Sequence, residues 1–184
     1  MDIVSLDIPD VRLVRPRRHG DTRGWFMETW RRDRFAAQGI TDDFVQDNRS
    51  FSARRGTVRG LHFQRPPHAQ AKLVGALTGS LLDVVVDLRR SSPHYGRHLT
   101  VELSADEGTM LYVPVGFAHG FCTLSDATTV FYKVSDTYAP ECDGGISWND
   151  PALGIAWPVG VAEAVVSDKD RALPLLAELP PIFV

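Results

Sequence analysis

Two histidines lie in apolar segments beside glycine, a setting that suits either metal binding or proton transfer. His62 lies in "RGLHFQ" and His119 lies in "PVGFAHGF". A single histidine of this kind is more often a hydrogen-bonded core residue, whereas two that face one cavity would indicate a site. The other four histidines lie in polar or turn-like segments and are expected on the surface: His19, His68, His94 and His98.

A metal site would need more ligands than these two histidines. The segment "PVGFAHGF" resembles the second sequence motif of the cupin superfamily, in which a histidine lies inside a small β-barrel. Metal-binding cupins add an H-x-H pair and a glutamate from their first motif, but here Phe63 and Gln64 follow His62. Iron, zinc and manganese need three or four N, O or S ligands in fixed geometry. The sequence therefore argues against a metal.

Without a metal, a buried histidine can act as a general base, because its ordinary pKa of about 6.5 suits neutral pH. Such a base needs an orienting carboxylate, a group that stabilises the developing negative charge, and a proton donor. Lys72, in an apolar segment, and Tyr132 are candidates for the last two roles. Taken singly, Lys72 is better explained as a lysine whose stem alone is buried, and Tyr132 as a hydrogen-bonded core tyrosine.

Short β-strands are the elements that must position these groups. The segment "AKLVGALTGSLLDVVVDLR" predicts two strands joined at Thr78 to Ser80, and "GRHLTVEL" and "TMLYVP" predict two more. In "TTVFYKVSD" the alternation places Val130, Tyr132 and Val134 on one face. Several short strands at this spacing favour a β-sandwich or barrel over a βαβ architecture.

Helices are predicted only at the periphery. "METWRRDRFAAQG" has a helical composition and ends at Gly39, a natural residue to follow a helix. "SDKDRALPLLAEL" predicts a short helix with Ser167 as N-cap and Asp170 three residues later, the spacing of a capping box. After about residue 145 the alternation is weak and is interrupted by Pro151 and Pro158, which predicts irregular chain laid over the barrel.

The composition is typical of a soluble protein inside the cell. A length of 184 residues suits one domain, 1–184, and a net charge of -3 gives none of the basic excess expected for nucleic-acid binding. Arginines cluster in "RPRRHGDTRG" and "RRDR", which suits a solvated surface or an anion site equally. Cys122 and Cys142 form no disulfide framework, and we find neither a signal peptide nor a membrane span. We therefore expect a cytoplasmic protein.

Taken together, the motifs resemble one family. "RGLHFQ", "AKLV", "GSLLDVVVDLR", "VPVGFAHGF", "FYKVSDTYAPECDGGISWNDP" and "SDKD" are similar, in order and spacing, to the dTDP-4-dehydrorhamnose 3,5-epimerases. The resemblance implies an all-β, cupin-type jelly roll with a few short peripheral helices. It also implies a homodimer that epimerises C3 and C5 of a dTDP-linked 4-keto-6-deoxy sugar through an enolate, without metal or other cofactor, in dTDP-L-rhamnose biosynthesis.

The resemblance implies roles for individual residues. His62 is the base, Asp170 is the acid that orients it, and Tyr132 is the general acid on the opposite face of the sugar. Phe26 is expected to reach the neighbouring subunit's site together with Arg23 and Glu28, because the family's dimers exchange N-terminal strands. The implied substrate-binding positions are Lys72 and His119 for the sugar, Arg23, Glu28, Gln46, Asn48, Arg59 and Lys169 for the nucleotide, Tyr138 near the base, and Asp143, where the family usually has glutamate.

Some interpretations stay open at this point. Asp170 stands at capping distance from Ser167, and Asp168 is the alternative partner for His62. Arg59 and His62 have opposite parity on one predicted strand, so a bulge or a strand end is needed if both reach one cavity. The alternative functions are an epimerase acting at C3 or C5 only, a ketoisomerase, a metal-dependent cupin and a non-catalytic sugar-binding cupin.

Overall fold

The computed structural model describes all residues from 1 to 184, and its fold is almost entirely β. The strands are β1 (Asp2–Ser5), β2 (Arg12–Arg15), β3 (Arg18–Asp21), β4 (Gly24–Met27), β5 (Gln46–Ser52), β6 (Val58–Gln64), β7 (Lys72–Thr78), β8 (Ser80–Asp87), β9 (His98–Ser104), β10 (Met110–Val113), β11 (Phe117–Thr123), β12 (Thr128–Val134) and β13 (Asp143–Gly145). The helices are α1 (Arg32–Ala36) and α2 (Asp168–Arg171), and two 3₁₀ turns cover Pro140–Cys142 and Leu176–Glu178.

Two antiparallel sheets pack face to face in the predicted jelly-roll arrangement. One sheet has the strand order β1-β2-β10-β7-β12-β5 and the other β13-β6-β11-β8-β9, while β3 and β4 form a separate hairpin. Side chains from both sheets meet in one buried cluster that includes Val74, Val85, Phe121 and Val130. Since side chains alternate along a strand, every second residue of the central strands faces this interior.

The strands predicted from hydrophobic alternation are confirmed. The joint between β7 and β8 is shorter than expected, because only Gly79 lies between them. Its φ is +72°, and a Cβ there would come within 2.4 Å of the Ser125 hydroxyl oxygen. Only glycine adopts this left-handed backbone without strain, and it has no Cβ to collide with Ser125. The turn is therefore fixed at Gly79.

The first predicted helix is much shorter than its sequence suggests. Only Arg32–Ala36 is helical, and Arg31 before it is extended with φ −152° and ψ 123°. A single side chain of α1, Phe35, is buried, so no apolar stripe supports a longer helix. Gly39 still closes the following turn, with φ +80°, and the Ile40 N–H donates to the Phe35 carbonyl at 3.0 Å.

The chain after β13 covers the outer face of the five-stranded sheet, as the weak alternation predicted. Leu61 and Phe63 point outward from β6 and form a buried cluster with Ile146, Leu153 and Phe183. In α2 the Ser167 hydroxyl accepts the Asp170 N–H at 3.1 Å, which confirms the predicted N-cap. Neither helix is long and apolar enough to cross a membrane.

A β-bulge in β6 resolves the parity conflict between Arg59 and His62. His62 pairs with His119 and Arg59 pairs with Phe121, so three steps along β6 match two steps along β11. The extra residue falls at Gly60, whose φ is +120° and where a Cβ would lie 2.6 Å from the Gly120 Cα. Arg59 and His62 consequently line the same cavity.

Candidate active site

A cavity of about 590 Å³ lies between the sheets and is lined by residues from both. The cavity is also lined by four polar side chains that were not predicted as site residues: Ser50, Gln64, Gln70 and Ser167. Most of the predicted site residues line it: Gln46, Asn48, Arg59, His62, Lys72, His119, Tyr132, Tyr138, Asp143, Lys169 and Asp170.

Polar side chains occupy inward positions that would otherwise carry core residues. Lys72 has the strand parity of Val74, and Tyr132 has the parity of Val130; both valines are fully buried in the core. Burying polar groups without partners is costly, so an interior of this kind is suited to a polar ligand. The cavity is therefore built into the interior of the sandwich.

His62 is oriented by the carboxylate of Asp170. The His62 Nε2 lies 2.8 Å from the Asp170 Oδ1, and the Gly60 N–H donates to Oδ2 at 3.0 Å. Burial alone would raise the pKa of Asp170, but the hydrogen bonds from His62 and Gly60 outweigh it and lower the pKa. An ionised Asp170 accepts the Nε2 proton, which leaves the Nδ1 lone pair of His62 as the basic site.

Asp170 both caps the short helix α2 and contacts His62, through different atoms. The backbone N–H of Asp170 makes the cap to Ser167, while its side chain turns to His62. A full capping box, in which that side chain would return to the N-cap backbone, does not form. Asp168 is exposed and makes no contact with His62, so Asp170 is the partner that the geometry selects.

Lys72 is a buried cation without a hydrogen-bonded partner in the protein. Only 8% of the residue is exposed, and no carboxylate lies within ion-pair distance of its ammonium group. Desolvation lowers its pKa to about 8, although the nearby charge of Asp143 acts in the opposite direction. An ammonium group held in a low-dielectric cavity interacts strongly with negative charge that develops on a ligand.

Tyr132 faces the same cavity from β12. Burial raises the pKa of its phenol, and the charge of Arg59 opposes that rise. The phenol therefore remains protonated at neutral pH and is able to donate a proton. Arg59 itself is fixed by β5, since it donates to the Phe51 carbonyl at 2.9 Å and to the Ser52 hydroxyl at 3.3 Å.

A second histidine–carboxylate pair lies deeper in the cavity. Both oxygens of Asp83 lie 3.0 Å from the His119 Nε2, and Asp83 is fully buried. Burial raises the pKa of Asp83, and the hydrogen bond and charge of His119 limit that rise. Asp83 was not among the predicted site residues, yet an acid inside the apolar run "LLDVVVD" is a signal for a buried partner.

The outer end of the cavity carries the other predicted binding groups. The Gln46 amide donates to Asn48 Oδ1 at 3.0 Å, and its carbonyl oxygen accepts the Tyr138 N–H at 3.2 Å. Asp143 Oδ2 accepts from the Tyr138 hydroxyl at 3.3 Å and also from the Lys169 ammonium. These polar and aromatic groups form one connected rim, which is suited to a ligand with both a ring and charged groups.

Three predicted residues do not reach this cavity within one chain. Arg23 and Phe26 lie on the β3–β4 hairpin, where Phe26 is 70% exposed and Arg23 pairs with Asp21 at 2.6 Å. Glu28 follows the hairpin and contacts Arg34 at 3.1 Å. None of the three lines the cavity of its own subunit.

The arrangement places a histidine and a tyrosine on opposite walls of the cavity. His62 comes from the five-stranded sheet, whereas Tyr132 and Lys72 come from the six-stranded sheet. A flat ligand between them would meet a proton acceptor on one face and a proton donor on the other. No group of three or more His, Cys, Asp and Glu side chains is arranged to hold a metal ion.

Comparisons with known proteins agree with the sequence motifs. The family model described as dTDP-4-dehydrorhamnose 3,5-epimerase matches residues 5–178. An enzyme of that name from Sinorhizobium fredii is 50% identical over 97% of this chain and 91% of its own length. The structure of the enzyme from Bacillus anthracis, with TDP and PPi bound, has 47% identity and a TM-score of 0.91 and covers 95% of this chain and 98% of its own.

A second solved structure adds a bound sugar nucleotide. The 3,5-epimerase from Legionella pneumophila, in complex with dTDP-4-keto-L-rhamnose, has a TM-score of 0.92 and 40% identity. The alignment covers 97% of this chain and 94% of that one. With a family model that spans nearly the whole chain and relatives near 50% identity, this chain belongs to the dTDP-4-dehydrorhamnose 3,5-epimerase family.

Proposed function

We propose that the protein converts dTDP-4-dehydro-6-deoxy-D-glucose to dTDP-4-dehydro-L-rhamnose by inverting C3 and C5. The observation that carries this proposal is the placement of His62 and Tyr132 on opposite sheets of one cavity, with Lys72 lining the same space. Inversion at a carbon needs a proton removed from one face and returned to the other, and this arrangement supplies both groups.

The mechanism follows from the acidity of the positions next to the 4-keto group. His62 Nδ1 removes the proton from C5 or C3, and the electron pair moves to the keto oxygen to form an enolate. The Lys72 ammonium stabilises the negative oxygen, and Tyr132 donates its proton to the carbon from the opposite face. His62 then loses a proton to solvent and Tyr132 regains one, which resets the site for the second carbon.

The binding groups divide between the two ends of the substrate. Lys72 and His119 face the sugar, and Asp83 holds the ring of His119. The nucleotide is held at the rim by Arg59, which grips phosphate oxygens, and by the other rim groups. These groups are Gln46, Asn48, Tyr138 and Lys169, and Asp143 lies among them at the rim.

A homodimer would complete the site. Arg23, Phe26 and Glu28 lie outside their own cavity, and the hairpin exposes Trp25 and Phe26 at 59% and 70%. Large exposed aromatic side chains are typical of interaction surfaces. In the proposed dimer this hairpin lies at the cavity of the partner, where Arg23 contacts the nucleotide.

A cytoplasmic location is supported by Cys122 and Cys142, which are both buried and unpaired.

Asp170→Asn is expected to lower kcat by about 10²-fold to 10³-fold without unfolding the protein. An asparagine amide can donate to His62 Nε2, which favours the tautomer in which Nδ1 carries the proton and is no longer basic. The measurement is steady-state turnover, with Asp168→Ala as the matched control on the same short helix. Turnover of Asp170→Asn close to wild type would contradict the assignment of the pair.

Tyr132→Phe is expected to separate proton removal from inversion. The phenylalanine ring fills the same space, but no donor remains on that face of the sugar. His62 still removes and returns protons, so deuterium from solvent enters the substrate while epimer formation falls by about 10²-fold or more. NMR of the sugar in D₂O measures both quantities in one sample. An equal loss of exchange and inversion would show that Tyr132 is not the donor.

The proposed activity is tested by product identity. Wild-type protein that has been exhaustively treated with a chelator is incubated with dTDP-4-dehydro-6-deoxy-D-glucose, and the product is analysed by NMR. We expect the epimer inverted at both C3 and C5, at a rate that the chelator does not change. Inversion at one carbon would identify a mono-epimerase, a shifted ketone would identify a ketoisomerase, and loss of activity on chelation would identify a metal-dependent enzyme.

A further inference from the structure

We propose that Asp143 is a positioning residue that holds Lys169 and Tyr138 against the nucleotide, and is not itself a ligand of the substrate. Asp143 Oδ2 accepts hydrogen bonds from the Lys169 ammonium and from the Tyr138 hydroxyl, the latter at 3.3 Å. We call this set of three side chains the rim bridge. The inference rests on the proposed function, because it names how the nucleotide end of that substrate is bound.

The rim bridge joins three separate segments at the mouth of the cavity. Tyr138 lies in the loop after β12, Asp143 begins β13, and Lys169 lies in α2. The Asp143 carboxylate is the partner that Lys169 Nζ and the Tyr138 hydroxyl share. Removing this carboxylate therefore releases a lysine and a tyrosine together, and both side chains gain rotational freedom.

Exposure distinguishes the positioning residue from the two side chains that can touch a ligand. The Lys169 side chain is 61% exposed and Tyr138 is 56% exposed, so ammonium and ring surface remain free to contact a nucleotide. The Asp143 side chain is only 16% exposed. Its Oδ2 already accepts from two donors, the Lys169 ammonium and the Tyr138 hydroxyl.

Charge supports the same division. A nucleoside diphosphate is an anion, and a carboxylate that touched it would repel it. Lys169 can neutralise Asp143 and still direct its remaining N–H groups to the diphosphate, since an ammonium has three donors. The bridge thus converts a carboxylate into an indirect contributor to anion binding.

The rim bridge is close to the proposed base but makes no contact with it. Gly145 pairs with His62 across β13 and β6, and Asp170 follows Lys169 in α2. The hydrogen bonds that orient His62 come from Asp170 and do not involve Asp143. Loss of the bridge should consequently weaken nucleotide binding.

A double-mutant cycle tests the inference, with the affinity for dTDP as the readout. Asp143→Ala and the near-isosteric Asp143→Asn are each made in the wild-type chain and in a Lys169→Met, Tyr138→Phe background. We expect Asp143→Ala to weaken dTDP binding about tenfold in the wild-type chain and less than twofold in that background. Asp168→Ala, which removes a negative charge beside Lys169 outside the rim bridge, should change the affinity less than twofold.

Any other result overturns the inference. An equal loss in both backgrounds would mean that Asp143 contacts the ligand directly. Unchanged or tighter dTDP binding in Asp143→Ala, or a fall in kcat without a change in affinity, would mean that the bridge does not position the nucleotide. Wild-type protein that failed to bind dTDP would overturn the proposed function as well, so the two failures are distinguishable.

Discussion

His62→Asn is expected to lower proton exchange at C3 and C5 by about 10³-fold or more, because it removes the group proposed to accept the substrate proton. The imidazole is fixed by the 2.8 Å contact to Asp170, so its basic nitrogen is directed before the substrate arrives. A base held in this way contributes more than the same base free in solution, since its orientation is established in advance. Asparagine keeps a polar side chain of similar length but has no basic nitrogen.

The control for this variant is a histidine outside the cavity. His94→Asn removes a partly exposed ring whose contact is Arg97, at 3.1 Å, and should leave exchange unchanged. Binding of dTDP should be the same in both variants, because His62 is assigned to the sugar end. If His62→Asn retained exchange within tenfold of wild type while binding dTDP normally, another group would be the base.

Lys72→Met is expected to abolish most activity and at the same time to stabilise the protein. Loss of one preorganised group that stabilises a developing oxyanion costs about 10²-fold to 10³-fold in kcat. The stability gain arises because desolvation lowers the pKa of Lys72 from 10.5 to about 8, so at pH 7 the folded chain buries a charge. That shift corresponds to a cost of up to about 3 kcal/mol, which methionine of similar shape does not incur.

The pH dependence of this stability difference has a definite sign. Between about pH 8 and pH 10.5 the unfolded chain binds more protons at this site than the folded chain. The free energy of unfolding of the wild type therefore rises through this window relative to that of Lys72→Met. Denaturant unfolding at pH 7 and pH 10 should show the advantage of the variant shrinking with pH. A variant that is less stable at pH 7, or one that keeps full turnover, would contradict the role of Lys72.

Strand alternation in the sequence was enough to predict β7, β8, β9, β10 and β12 and to place Tyr132 on an inward face. Tyr132 is the clearest example, because Val130 and Val134 beside it on the same face are buried core residues. The residues made it one of two candidates for charge stabiliser or proton donor, the family resemblance assigned it the donor role, and that role stays a prediction. His62 and His119 could be singled out by their apolar context, and the structure places both at one cavity.

Other features depend on contacts between distant segments and could not be derived from local patterns. The bulge at Gly60 depends on how β6 meets β11, although parity alone indicated that some irregularity was needed. The contact of Asp170 with His62 joins residues 108 positions apart, and local spacing indicated only a cap. The predicted length of α1 was wrong, because helical composition does not reveal how few side chains of this segment contact the core.

The most direct test of the central claim is deuterium incorporation from solvent. Wild-type protein is incubated with dTDP-4-dehydro-6-deoxy-D-glucose in D₂O, and the label at C3 and C5 is followed by NMR and mass spectrometry. If His62 removes both protons through an enolate, deuterium is expected at both carbons, with one label entering at each inversion. Conversion to the epimer without deuterium at either carbon, or no exchange at all, would contradict the account.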